Sequence, residues 1–274
     1  MSLRFRARPE RTERAPGHLA ALCFSTSRWA GLKIVLEGFH TMHPFQNNRI
    51  LSALAARNAS HALLTRLVAV HLNSGQVMVT ASTSLRYGFF ITEGMACGLT
   101  VMKSGMTAAA EIVGPEGFVG IPLTFGNTST QPLTVACRIS GTAMRIDGDV
   151  FLNEFNKGGL FRDLMGRYAN SRMASIIQTA ACNAVHCVPQ RMACWLLRIS
   201  DRVGSDFKLT HETFAQMLGN RRATVTAQAE AFEGLGYISY RYGRIRIENR
   251  RDLETIACEC YDIHRKAVED VFTF

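Results

Sequence analysis

The sequence predicts an α+β fold: an N-terminal antiparallel β-roll or jelly roll, a long dimerisation helix, and a C-terminal winged helix-turn-helix. Three observations predict it. Eight short apolar runs, punctuated by turn residues, recur at strand spacing between positions 67 and 146. Apolar residues then return to helical spacing over positions 159–184. Finally, positions 209–247 spell a capped helix, a glycine turn, a second helix and a short hairpin.

The chain of 274 residues is 47% hydrophobic, enough for a sizeable core plus a smaller module. A basic segment at residues 1–45 carries Arg4, Arg6, Arg8, Arg11 and Arg14 and is expected to be a poorly ordered extension. The β-roll is assigned to 46–155, the dimerisation helix to 156–186, and the winged helix-turn-helix with a C-terminal helix to 187–274. Ile50, Leu51, Leu54 and Ala55 recur at helical spacing and open the roll with a helix over 48–61. The strand candidates are 67–70, 76–79, 88–91, 99–102, 111–113, 117–120, 133–136 and 143–146. Turns are expected at Asn73-Ser74-Gly75, Glu93-Gly94, Lys103-Ser104-Gly105, Gly114-Pro115 and Asp147-Gly148.

The long helix carries Phe161, Leu164, Met165, Tyr168, Met173, Ile176, Ile177 and Ala180 as an apolar stripe. About 25 residues at 1.5 Å each reach about 37 Å, longer than one compact domain can cover, so part of the stripe is read as a dimer seam. A further helix begins at Val188-Pro189, where proline suits a first turn, and carries Met192, Trp195, Leu196 and Ile199.

The motif LTHETFAQMLGNRRATVT starts at Leu209. Thr210 caps the first helix, Phe214, Met217 and Leu218 face inward, Ala215 allows a close crossing, and Gly219 supplies the left-handed turn. The second helix buries Val225, Ala229 and Phe232, which leaves its N-terminal side chains free. Ile238, Tyr240, Ile245 and Ile247 alternate around Tyr242-Gly243, a hairpin with its arginines outward. From 220 to 251 there are seven arginines (221, 222, 241, 244, 246, 250 and 251) against Glu230, Glu233 and Glu248. With a whole-chain charge of +9, that concentration points to double-stranded DNA. Arg222 has the fork that pairs with guanine O6 and N7, and Thr210, His211, Asn220, Arg221, Thr224, Thr226, Arg244 and Arg246 complete the expected contact set.

These residues resemble the Crp/Fnr family of bacterial transcription regulators. The resemblance covers about residues 46–260. It is most specific in Ala193-Cys-Trp-Leu-Leu, the segment 209–238 and the wing 240–247. It implies a cyclic-nucleotide-binding-like roll, a homodimer on a palindromic site, a base-reading role for Arg222, and RNA polymerase as a candidate partner. Two family readers fall on Ala223 and Ala227, so the operator should differ from the best-known one. The family's nucleotide anchors fall on Gly120-Ile121 and Gln131-Pro132. Without the Glu and the Arg fork, cyclic AMP in its usual pose is disfavoured. Gly120, Ile121, Gln131 and Pro132 remain as a candidate ligand pocket, with the effector unknown and no cofactor assigned.

A redox- or other small-ligand-responsive regulator using cysteines is the alternative reading. Only Cys23 lies in the N-terminal region, and the other cysteines show no CxxC spacing. Cys258-x-Cys260 is expected to point to different faces of a helix, and His40-x-x-His43 lacks further ligands, so no metal site is expected. Enzymatic activity is not expected, since no phosphate loop, nucleophile elbow or paired zinc motif is present; an enzyme with catalytic groups brought together from distant positions is the remaining alternative. No apolar run approaches roughly 18 residues and no secretory leader is evident, so a cytoplasmic protein without membrane insertion is expected.

Overall fold

A computed structural model describes residues 44–125 and 132–273, all within one compact unit. The expected basic extension, apart from its last two positions, falls outside the described residues, as do Cys23, His40, His43 and Gln131.

A 3-10 turn, Pro44–Asn47, leads into α1, Arg49–Ala56, and then α2, His61–Leu64. Asn48 begins α1 by accepting from the Ile50 and Leu51 N–H groups. Its amide donates to the carbonyls of Ile91 (2.9 Å) and Gly117 (2.8 Å), so this fully buried side chain pins the helix to the roll.

The roll contains β1, Val68–Leu72; β2, Val77–Val79; β3, Tyr87–Val101; β4, Thr107–Val113; β5, Phe118–Val119; and β6, Thr134–Asp147. Its order is β1-β6-β3-β4, with β2 added to β6 and β5 to β3, all antiparallel. The eight sequence runs therefore condense into six strands. Runs 88–91 and 99–102 belong to one 15-residue strand, and runs 133–136 and 143–146 to one of 14 residues. Glu93-Gly94 is a register-shifting bulge instead of a turn. Gly94 has φ +77°, and a Cβ there would lie 2.4 Å from the Ile139 carbonyl oxygen, so the two long strands need glycine where they kink together. Asp147-Gly148 is not a turn either. The Asp147 carboxylate accepts from the Asp149 N–H and begins α3, Gly148–Asn156.

The long helix, α4, runs Gly159–Val185, 27 residues or about 40 Å. It is followed by α5, Val188–Val203; β7, Asp206–Lys208; α6, His211–Leu218; α7, Arg222–Gly234; β8, Ile238–Arg241; and β9, Arg244–Ile247. The chain ends in α8, Arg250–Ile256, and α9, Cys260–Glu269, with a terminal 3-10 turn. The wing is three-stranded, β7-β9-β8, and β7 was not apparent in the sequence.

The stripe on α4 divides. Phe161, Leu164, Met165 and Tyr168 sink under the roll beside Phe118 and Phe151, whose rings stack at 4.9 Å. The Tyr168 hydroxyl accepts from the Phe118 N–H (3.0 Å). Beyond residue 170, the buried face becomes Ser171, Arg172, Ser175, Thr179 and Cys182, with Ser171 bonded to the Ala267 carbonyl and Ser175 to His264 on α9. Met173 and Ile177 are left 58% and 62% exposed on the other side.

Helix α5 is buried continuously from Arg191 to Ser200. Its core includes Met95, Cys97, Leu99, Ala109 and Ile112 from the roll and Phe214, Met217, Val225 and Phe232 from the reader. The reader therefore shares its apolar interior with β3 and β4. At the surface of this junction Thr107 donates to the Gln216 carbonyl, and Gly219 approaches Ala108 so closely that a Cβ would sit 3.2 Å from the alanine Cβ.

Candidate nucleic-acid interface

The helix-turn-helix forms as its local chemistry requires. Thr210 Oγ1 accepts from the Thr213 N–H (3.1 Å) at the start of α6. Gly219 closes the helix at φ +62°, and the Gly219 and Asn220 N–H groups both bond to the Ala215 carbonyl. Arg191, from α5, donates to the Leu218 carbonyl at 2.6 Å and so satisfies an orphan acceptor at the end of α6. Nothing local in the sequence marks Arg191 as a cap, because it reaches Leu218 from 27 positions away.

At the start of α7, Arg221, Arg222, Ala223 and Thr224 are all exposed, while Val225, Ala229 and Phe232 anchor the helix below. Ala227 is exposed on the same outer face. Asn220 is half-buried, with its amide donating to the Leu218 carbonyl (3.3 Å). His211 and Thr226 are engaged with each other: Nδ1 lies 3.0 Å from Thr226 Oγ1, and the imidazole stacks on Tyr240 at 3.9 Å. The pair ties α6, α7 and the wing together. Burial first, and then the charge of Arg222, lower the His211 pKa below its ordinary value.

The wing turn is Tyr242-Gly243, with φ +50° and +75°, the two positive angles a tight two-residue hairpin needs. Tyr242 is fully exposed at its tip. Arg244 and Arg246 both hold Asp206, Arg244 through Nε and Arg246 through Nη2 at 2.8 Å. Their hydrogen bonds keep the Asp206 carboxyl below the usual carboxylate range. Arg241 pairs with Glu233 (2.7 Å) and Arg250 with Asp201 (2.7 Å). Among the described residues, Arg221 and Arg222 have no carboxylate partner within ion-pair distance. Asp206 lies outside the arginine-rich segment 220–251, and β7–β9 pairing brings it onto the wing. Replacing Asp206 by Asn should therefore raise DNA affinity irrespective of sequence. It should also steepen the salt dependence by about one to two units as the two arginines become available to phosphates, readable in a binding titration across ionic strength.

Three of the four positions expected to form a ligand pocket, Gly120, Ile121 and Pro132, line an open cavity of about 450 Å³ together with Phe118, Phe125, Val135 and the α4 residues Met173, Ile176 and Ile177. Gly120 takes φ +128°, and Ile121 opens a 3-10 turn, Ile121–Phe125. Glu111 and Arg172 stand at the same cavity and were not anticipated. Arg172 Nε and Nη2 donate to one Glu111 oxygen at 2.8 and 2.7 Å, with the guanidinium side chain only 2% exposed. Burial opposes its charge, yet Glu111 holds its pKa above the ordinary guanidinium value.

The Cys258-x-Cys260 expectation is corrected. The helix breaks at Ala257 (φ −59°, ψ 144°), so Cys258 lies in the α8–α9 connection and Cys260 opens α9. Both thiols turn toward one cluster with Cys182 and His186. No helix among the described residues is long and apolar enough to cross a membrane.

A winged helix-turn-helix with an exposed basic recognition helix, attached through a long helix to a β-roll, defines a DNA-binding transcription regulator. Residues 190–256 match the Crp-like helix-turn-helix domain, and the fold of the described residues is similar to that of solved regulators of the Crp/Fnr family. FixK2 from Bradyrhizobium japonicum is similar at 11% identity and TM-score 0.61, covering 70% of this chain and 98% of its own. A CRP/FNR-family transcriptional regulator from Thermus thermophilus is 20% identical (TM-score 0.54), over 69% of this chain and 98% of its own. The c-di-GMP-responsive global regulator CLP of Xanthomonas campestris is 13% identical (TM-score 0.55), over 72% of this chain and 98% of its own. No curated protein sequence gives a significant match.

Proposed function

We propose that this protein is a homodimeric, sequence-specific transcription regulator. Helix α7 reads the major groove of a two-fold symmetric site, and the wing lies on flanking phosphates. The observation that carries this reading is the exposed row Arg221, Arg222, Ala223 and Thr224 at the N-terminal end of α7, held from behind by buried Val225, Ala229 and Phe232. The exposed Met173 and Ile177 on α4 supply the dimer seam, and half-sites one DNA turn apart, about 34 Å, suit two such readers. Arg222 reads a guanine, whereas Thr210, Asn220, Arg221 and Thr224 contact phosphates or neighbouring base edges. His211 and Thr226 act by holding the reader in shape. Arg244 and Arg246 are phosphate ligands restrained by Asp206.

Control comes from the roll. A small, largely apolar effector fits the cavity beside Ile121, Pro132 and Ile177, because its described lining is mostly hydrocarbon and the Arg172 guanidinium is already neutralised by Glu111. The cavity uses Ile177 and Met173 of the seam helix as a wall, so occupancy bears directly on the dimer contact. Selection of bound fragments from a genomic library tests the reading, with an inverted repeat as the expected product. In that assay Arg222→Ala should lose discrimination at one position per half-site by about 1–3 kcal/mol, roughly 5- to 150-fold, with little change in salt dependence. Recovery of fragments with no shared repeat would overturn it.

A further inference from the structure

Cys182, His186, Cys258 and Cys260 converge at the junction between α4 and the α8–α9 connection, with one ligand atom from each lying within 4.8 Å of all the others. Cys182 and His186 are four positions apart at the end of α4, which puts both on one helical face. Cys258 and Cys260 arrive from 76 and 74 positions further along the chain. From this juxtaposition we infer that the four residues form a closed, tetrahedral Cys3His site for a single zinc(II) ion, which fastens the C-terminal end of the long helix to the element behind the reader.

The spacings fit one ion. With Zn–S near 2.3 Å and Zn–N near 2.0–2.1 Å, the edges of a tetrahedron are about 3.8 Å between sulfurs and about 3.6 Å between sulfur and nitrogen. Cys182 Sγ and Cys258 Sγ are 3.6 Å apart, and Cys260 Sγ and His186 Nδ1 are 3.5 Å apart. A polynuclear iron–sulfur cluster needs its thiolates spread around several irons, wider than this group stands.

The surroundings support the ligands. His186 Nε2 lies 3.2 Å from a Glu259 carboxylate oxygen, the outer partner that fixes a metal-bound imidazole and turns Nδ1 inward. Gln178 Nε2 donates to Cys260 Sγ at 3.0 Å, a bond suited to a thiolate. Three thiolates, a neutral imidazole and Zn(II) carry a net charge of −1. The nearby cation is Arg198, which is only 3% exposed, stacks over Trp195, has an Nε without a hydrogen-bond partner, and interacts electrostatically with Cys194 and Cys182.

The position gives the ion leverage. His186 is the residue after α4, where the backbone leaves the helix (φ −101°, ψ 142°), and α5 starts two residues later. An ion held there sets the angle between the long helix and the reader.

The test uses the full-length chain purified under reducing, anaerobic conditions. Elemental analysis should find one zinc per chain that survives gel filtration. Titrating the metal-free protein with cobalt(II) should give thiolate-to-cobalt charge transfer and the intense d–d bands of tetrahedral coordination, saturating at one equivalent. Cys260→Ser and His186→Ala should each weaken zinc at least about tenfold and alter the cobalt bands. Cys187→Ser, which changes an exposed thiol outside the set, should leave both measurements unchanged. The cobalt spectrum of the unaltered chain keeps the test decisive if a variant fails to fold. The inference is overturned by any of these results: zinc far below one per chain after reconstitution, an octahedral cobalt spectrum, iron with acid-labile sulfide, or a Cys182–Cys258 disulfide in its place.

Discussion

Ile177→Glu, combined with Met173→Glu, is expected to leave a monomer at micromolar concentration and to lower affinity for the full inverted repeat by about 10²–10⁴-fold. A lone reader should keep only half-site binding, because the second contact is no longer intramolecular. Ile177 and Met173 are more than half exposed on the protomer, and Ala174, Ala180 and Ala181 beside them are also exposed. The change therefore introduces charge without disturbing the buried face formed by Ser171, Ser175, Thr179 and Cys182. Sedimentation or light scattering reads the assembly state, and circular dichroism should show an intact fold. A dimer that persists at low micromolar concentration would remove α4 as the seam.

Glu111→Ala is expected to destabilise the protein by about 3–5 kcal/mol, since it leaves the Arg172 guanidinium buried and without its counter-charge. The double variant Glu111→Ala, Arg172→Leu should recover most of that loss, because an apolar side chain of similar reach suits the cavity wall. Denaturant titration of the four proteins in the cycle measures the coupling. The same cycle reports on signal transfer, because Glu111 lies on β4 and Arg172 on α4, and both border the candidate effector cavity. A loss under about 1 kcal/mol for Glu111→Ala would mean that solvent reaches Arg172 in solution.

What could be read from the chain follows from how far each signal travels. The Thr210 cap, the Gly219 turn and the Tyr242-Gly243 hairpin are each decided within about four residues, and all three stand where their local chemistry placed them. The roll was legible as strands but not as continuous strands. Glu93-Gly94 carries the residue types of a turn, and only the close approach of β6 shows that the backbone continues through it as a bulge. On α4 the apolar stripe was visible, whereas its division was hidden. Arg172, Ser175 and Thr179 continue the buried face of Tyr168 in helical register, but as polar residues they carry no hydrophobic signal.

The sequence by itself thus determined the class of fold, the order of its parts, and the exposed arginine at the head of the recognition helix, because periodicity, caps and turn residues are local properties of a chain. Only the tertiary structure decided which charges remain available to DNA and which thiols meet. Asp206 reaches Arg244 and Arg246 across 38 and 40 positions, Glu111 reaches Arg172 across 61, and Cys182 reaches Cys258 across 76. Such pairings depend on strand register, on a helix break at Ala257 and on the shared core around α5, none of which is written in the spacing of the residues that meet.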